Sequence, residues 1–333
     1  MLKRLSLSVI ILLAIVTVLV GCSAKKEIKA NSINDGEDAV KASADIENST
    51  MNPGAGTQAA AVVMTPVSVA GPFGSSAVIV NTEFSDRDVR MTYEDSSATH
   101  ITLDGTDIRI EGEGAVASDG LLTINSEGTY VLTGTLTDGR LIVDAGDEDK
   151  IQIVLHGVNI NCKDNAPIYI KKADKVFLTL QENTENTLTD GKEYNQEDGD
   201  NVDGVIFSRA DLTLNGAGSL NITGNYKHGL VSKDELLITG GTYHITAVKD
   251  TISGKDCVMI RDGSFLLNSQ TGKGIESKNE DDNTRGYVYI CGGSIKITNC
   301  RKGIDSTVIA VAGGVLDITA SEEDTESSGE VSQ

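Results

Sequence analysis

The sequence predicts an all-β chain, a right-handed parallel β-helix preceded by a disordered N-terminal linker. Three observations carry that expectation. Short segments of alternating apolar residues recur about every 22 residues, a glycine precedes each, and no helical stripe follows the first twenty or so residues.

The beat is clearest in the second half. Gly218, Gly241, Gly263, Gly293 and Gly314 are separated by 23, 22, 30 and 21 residues, and the long interval contains the acidic insertion 279–286. A second marker, Gly229, Thr251, Gly274 and Gly303, keeps intervals of 22, 23 and 29. Between the markers Leu236/Ile238, Val258/Ile260 and Val288/Ile290 alternate in one strand position, and Tyr243/Ile245, Phe265/Leu267 and Ile295/Ile297 in the next. Period-two alternation turns one face inward and the other outward. One coil cannot bury its inward row alone, but stacked coils share a continuous core. About 220 residues at this period make roughly ten coils. A leucine-rich repeat has a similar period, but its Leu-x-x-Leu-x-Leu-x-x-Asn signature is absent. In the N-terminal third the beat is weakest, and a β-sandwich stays open there.

The flanks read differently. Lys3 and Arg4 precede an apolar run over 5–20, and Leu19, Val20, Gly21 and Cys22 match a bacterial lipobox. Residues 1–21 are therefore expected to be a lipoprotein signal peptide. Cys22 is the expected lipidation site, placing the chain on the extracellular face of the cell membrane. Residues 22–83, rich in Ala, Ser, Asn, Gly and Thr, read as a flexible tether, 84–320 as the folded domain, and 321–333 as an acidic disordered tail. Cys162, Cys257, Cys291 and Cys300 have neither scaffold nor CxxC spacing, so they read as buried small hydrophobes whose disulfide state stays open.

With 28 Lys and Arg against 49 Asp and Glu, the formal charge is −21. A nucleic-acid binder needs a basic face, so that class is excluded.

Several segments in order, 128–136 (GTYVLTGTL), 155–160 (LHGVNI), 186–191 (NTLTDG), 212–220 (LTLNGAGSL) and 229–234 (GLVSKD), resemble clostridial cell-surface proteins with a carbohydrate-binding parallel β-helix. Those proteins are pectate-lyase-like solenoids that bind cellulose and acidic pectic polysaccharide. The resemblance spans about 84–319. It implies cell-surface polysaccharide binding, with calcium held by aspartates at coil turns.

The turn residues depart from that pattern. Where the family has an Asp before Gly-Ile, this chain has Lys227-His228, Lys249-Asp250, Lys273 and Arg301-Lys302. Lysine supplies no oxygen to calcium, and an ammonium beside Glu276 and Asp305 is the expected substitute. Asp198, Asp200 and Asp203, in an acidic loop, and Asp250 are the candidate structural calcium ligands. The same lysines form two expected basic ladders for an acidic glycan. One contains Lys227, His228, Lys249, Lys273, Arg301 and Lys302, and the other Arg209, Lys233, Lys255 and Lys278. The bland alternative pairs them with Asp234, Asp256, Glu276 and Asp305. Tyr194 and Tyr226 in loops and outward Tyr289 are the candidate sugar-stacking rings, while the outward strip Leu237, Met259, Tyr289 is expected to pack under another segment. No catalytic constellation emerges. The leading reading is a lipid-anchored, non-catalytic polysaccharide binder. A calcium-assisted uronate lyase, with Lys273 or Lys302 as base, and a structural or adhesive surface protein are the alternatives.

Overall fold

A computed structural model describes residues 40–43, 67–69, 78–196 and 200–320. Cys22, Asp198 and the 321–333 tail lie outside the described residues. The chain winds as a parallel β-helix. Among the described residues it makes nine turns, whose first strands begin at Thr99, Gly128, Lys150, Lys175, Asp211, Glu235, Cys257, Tyr287 and Val308. The solenoid extends through the N-terminal third, so the sandwich alternative falls.

Each full turn contributes to three parallel rows of stacked strands; in the turns beginning at Gly128 and Lys150 one continuous strand runs through the first two rows. In one complete coil, row one is Glu235–Ile238, row two Thr242–Ala247 and row three Ile252–Gly254. Inward residues stack in register. Row two aligns Leu188, Ile222, Ile245, Leu267, Ile297 and Ile318, and row three aligns Ile206, Leu230, Ile252, Ile275 and Ile304. Nearly all the inward side chains belong to one continuous core. Tyr243 stacks on Phe265 within it, with ring centroids 5.0 Å apart.

The second glycine marker has a steric cause. Where row three begins, the backbone lies against the inward isoleucine of row two. A Cβ on Gly274 would sit 2.4 Å from Ile297 Cγ2 and 2.6 Å from the carbonyl oxygen of Gly303. A larger side chain there would crowd the neighbouring coil, which accounts for glycine at three of the four marker positions, 229, 274 and 303, while buried Thr251 takes the fourth.

The first coil is capped. Asp107–Glu111 folds antiparallel onto Thr99–Gly105, and Ala115–Ser118 onto Leu121–Ile124. Both hairpins occupy an edge that would otherwise template pairing with another chain. Three short strands also fall within 22–83. Val40–Ser43 pairs parallel with Val308–Val311, and Val67–Val69 pairs antiparallel with Val78–Val80.

The stretch from Val80 to Ser97 lies over row one. Its helix, Asp86–Val89, has a capping box from Ser85 and Asp88. Asp88, 3% exposed, pairs with Lys175 at 2.9 Å and accepts a hydrogen bond from Thr213 Oγ1 at 2.8 Å. Its carbonyl accepts from Asn215 Nδ2 and Thr239 Oγ1. Arg87 lies 4.3 Å above the Phe177 ring. The strip Leu237, Met259, Tyr289 packs with Val80 and Phe84 in a satellite cluster, as its outward apolar character implied.

Candidate functional site

Row three gathers the predicted basic residues along one edge. Lys273 is register-paired with Lys302, and His228, Asp250 and Lys273 follow one another across three coils. The edge is an alternating chain of charges rather than a run of cations. His228 Nδ1 is 3.2 Å from Asp250 Oδ2, and Asp250 Oδ1 accepts the Lys273 amide at 2.7 Å. Lys273 Nζ bonds Glu276 and lies 3.3 Å from Asp305. Asp305 also takes Lys278 at 2.8 Å and Lys302 at 3.7 Å.

Burial works against the Lys273 ammonium, but its bond to Glu276 and the charges of Glu276 and Asp250 outweigh that cost and hold its pKa above the usual lysine value. Burial likewise works against ionised Asp250, yet the His228 contact and the Lys273 amide keep that carboxyl below its ordinary value. Lys273 is thus an internal counter-ion, as the ammonium-for-ion reading anticipated. Lys227 (half-buried) and the exposed Lys249, Arg301 and Lys302 remain oriented to solvent.

The second ladder is also paired. Arg209 Nε donates to Tyr169 Oη at 3.0 Å and the guanidinium contacts Asp200. Lys233 lies 3.8 Å from Asp203 and 5.1 Å above the Phe207 ring. Lys255 bonds Asp281, and Lys278 bonds Asp305. Asp234 and Asp256 are taken by Arg285 instead of lysines, a contact made from within the 279–286 insertion that repeat alignment does not reveal. Burial, then the charge of Asp211 and contact with Asp256, push Asp234 up to about 6.

These pairings bear on calcium. The ion takes six to eight oxygens, whereas Asp200, Asp203 and Asp250 each face a basic side chain of this chain. Among the described residues no group of three His, Cys, Asp or Glu is disposed to hold a metal. Among the described residues the donor set at these turns does not fit calcium.

The aromatic candidates separate. Tyr226 is half-buried, stacked on Tyr194 at 4.4 Å with Lys227 Nζ 4.6 Å from its ring. Tyr289 is corrected: it is 3% exposed in the cluster with Val80 and Phe84, because an outward ring in row one falls under the N-terminal segment. It offers no face to a sugar.

The outer surfaces of the three rows differ. Row one is covered by the Val80–Ser97 stretch, and Tyr169, Phe207 and Val231 of row three pack against Val202 and Tyr194. Row two is open. One outward column reads Thr187, Asn221, His244, Leu266, Lys296 in register, and the next reads Thr189, Thr223, Thr246, Asn268, Thr298. All are exposed or half-buried. Sequence reasoning passed over these residues, although a Ser, Thr or Asn at alternate positions of successive repeats was visible.

Residues 118–333 match the family described as "Carbohydrate-binding domain-containing protein". A protein of that description from Acetivibrio thermocellus is 30% identical over 250 residues, 74% of this chain and 84% of the relative. The solved structure of the polysaccharide lyase-like protein from C. thermocellum, a gadolinium derivative, is 32% identical. It superposes with a TM-score of 0.58, covering 67% of this chain and 97% of that one.

Proposed function

Because the chain belongs to the family of carbohydrate-binding domain-containing proteins, we propose that it binds plant cell-wall polysaccharide, cellulosic or pectic, at the cell surface without cleaving it, held to the membrane through acylated Cys22. The observation that carries the non-catalytic part is the setting of Lys273. β-Elimination from a uronate needs a base that is unprotonated when it meets the proton to be removed. Lys273 is fixed between Glu276 and Asp305, which stabilise its protonated form. The solvent-facing Lys227, Lys249, Arg301 and Lys302 lie along one edge and supply cations for an acidic glycan there.

The test combines fractionation with retention on immobilised polysaccharides. Wild-type protein should sediment with membranes and, after detergent extraction, be retained on at least one plant polysaccharide. Cys22→Ser should leave the membrane fraction or stay as precursor, with glycan retention unchanged. Normal lipid labelling of Cys22→Ser would refute the anchor, and wild-type protein retained on no polysaccharide would refute the binding.

A further inference from the structure

We propose that the open outer face of row two is a docking surface for an uncharged, extended polysaccharide; the proposal rests on the polysaccharide-binding reading above and gives it a place and a ligand class. Charge is the first argument. The protein carries −21 overall, yet between Glu185 at one side and Lys296 at the other the face has no Asp, Glu, Lys or Arg at its outward positions. Lys296 is itself neutralised by Asp317 at 2.8 Å. A polyanion finds no counter-charge here and meets an acidic protein, whereas a neutral chain pays no such penalty.

Chemistry and order supply the second argument. The face presents hydroxyls and amides, which both donate and accept and so match the hydroxyls of a sugar chain. Neighbouring strands hold like residues about 4.8 Å apart, and alternate residues along a strand are roughly 6.7 Å apart. The face is therefore a fixed grid. Threonine is stiff at χ1, so Thr223 and Thr246 lose little freedom on binding. Asn221 is oriented from both sides: its Nδ2 donates to Glu185 Oε1 at 2.7 Å, and its Oδ1 lies 3.1 Å from His244 Nδ1. Leu266, 44% exposed in the same column, gives an apolar patch for the C–H face of a pyranose ring. The other outward aliphatic side chain of row two among the described residues is Val315, 65% exposed on the last coil, so within the stacked coils the exposed leucine breaks the pattern where a ring would rest.

The experiment uses detergent-solubilised full-length protein, with microcrystalline cellulose pull-down and affinity electrophoresis in polygalacturonate. A His244→Glu/Leu266→Glu variant should lose at least tenfold in cellulose retention while keeping the wild-type shift in polygalacturonate. Asn268→Asp, a nearly isosteric change that cannot overturn the fold, should weaken cellulose retention in the same direction. Lys249→Gln/Lys302→Gln should leave it unchanged. Wild-type retention by both face variants, or cellulose retention lost only in the edge variant, would overturn the face and leave polysaccharide binding standing. A wild-type protein that binds polygalacturonate but not cellulose would also overturn it. Wild-type protein binding neither would remove the underlying reading as well.

Discussion

Ile260→Asp is expected to destabilise the domain by on the order of 4–5 kcal/mol, the range reached when an unpaired charge is forced into a core. Ile260 is fully buried and lies in the middle of a ladder between Ile238 and Ile290. Its neighbours in the core are aliphatic, so a carboxylate there finds no donor. Because each coil is stabilised by the coils on either side, the damage falls on two interfaces at once. The matched control is Lys296→Asp, at an outward position with its side chain 54% exposed. It loses a surface pair worth about 0–1 kcal/mol. Urea denaturation of both variants decides the matter. Equal tolerance would contradict the inward and outward assignment.

Asp88→Ala is expected to release the stretch over row one, at a cost of about 3–5 kcal/mol, the range for breaking one side of a buried ion pair. Lys175, with its side chain 14% exposed, would lose its carboxylate, and Thr213 would lose an acceptor. Detachment uncovers Phe177, Leu237, Met259 and Tyr289, so the variant should bind a hydrophobic dye and be cut by protease within 81–97. Burial works against ionised Asp88, but hydrogen bonds from Ser85, Lys175 and Thr213 hold its carboxyl below the usual value. A depressed folded pKa means that the clamp stabilises fully above the unfolded value of about 3.9. That contribution is lost as pH falls through the lower folded value. Wild-type protein should therefore open its clamp only in acid, and Asp88→Ala at neutral pH too. Equal protease resistance of the two at neutral pH would contradict the clamp.

The repeat was readable because each coil solves the same packing problem with the same residue types. Gly274 and Gly303 recur where the backbone meets an isoleucine, and Ile245, Leu267 and Ile297 recur where one core continues. The cover over row one was not readable at its source. Asp88 meets Lys175, Thr213 and Thr239 across intervals that no local pattern encodes, so from its outward direction alone Tyr289 read both as a sugar-stacking ring and as part of a strip packed under another segment. For the basic edge, alignment placed Lys273 and Lys302 in one column, but both approach Asp305, and only burial separates enclosed Lys273 from exposed Lys302. The row-two face was hidden by ordinariness. Alternating polar residues read as a default solvent side until row one is seen to be covered and row three covered in part.

The central claim is that this solenoid holds polysaccharide without cutting it. The direct measurement follows the solubilised protein with polygalacturonate and with neutral glucan, recording retention alongside the ultraviolet absorbance of unsaturated uronate. The account predicts retention with absorbance that stays flat over hours, with and without added calcium. Absorbance that rises with time in proportion to protein, and disappears in Lys273→Gln or in Lys302→Gln, would contradict it.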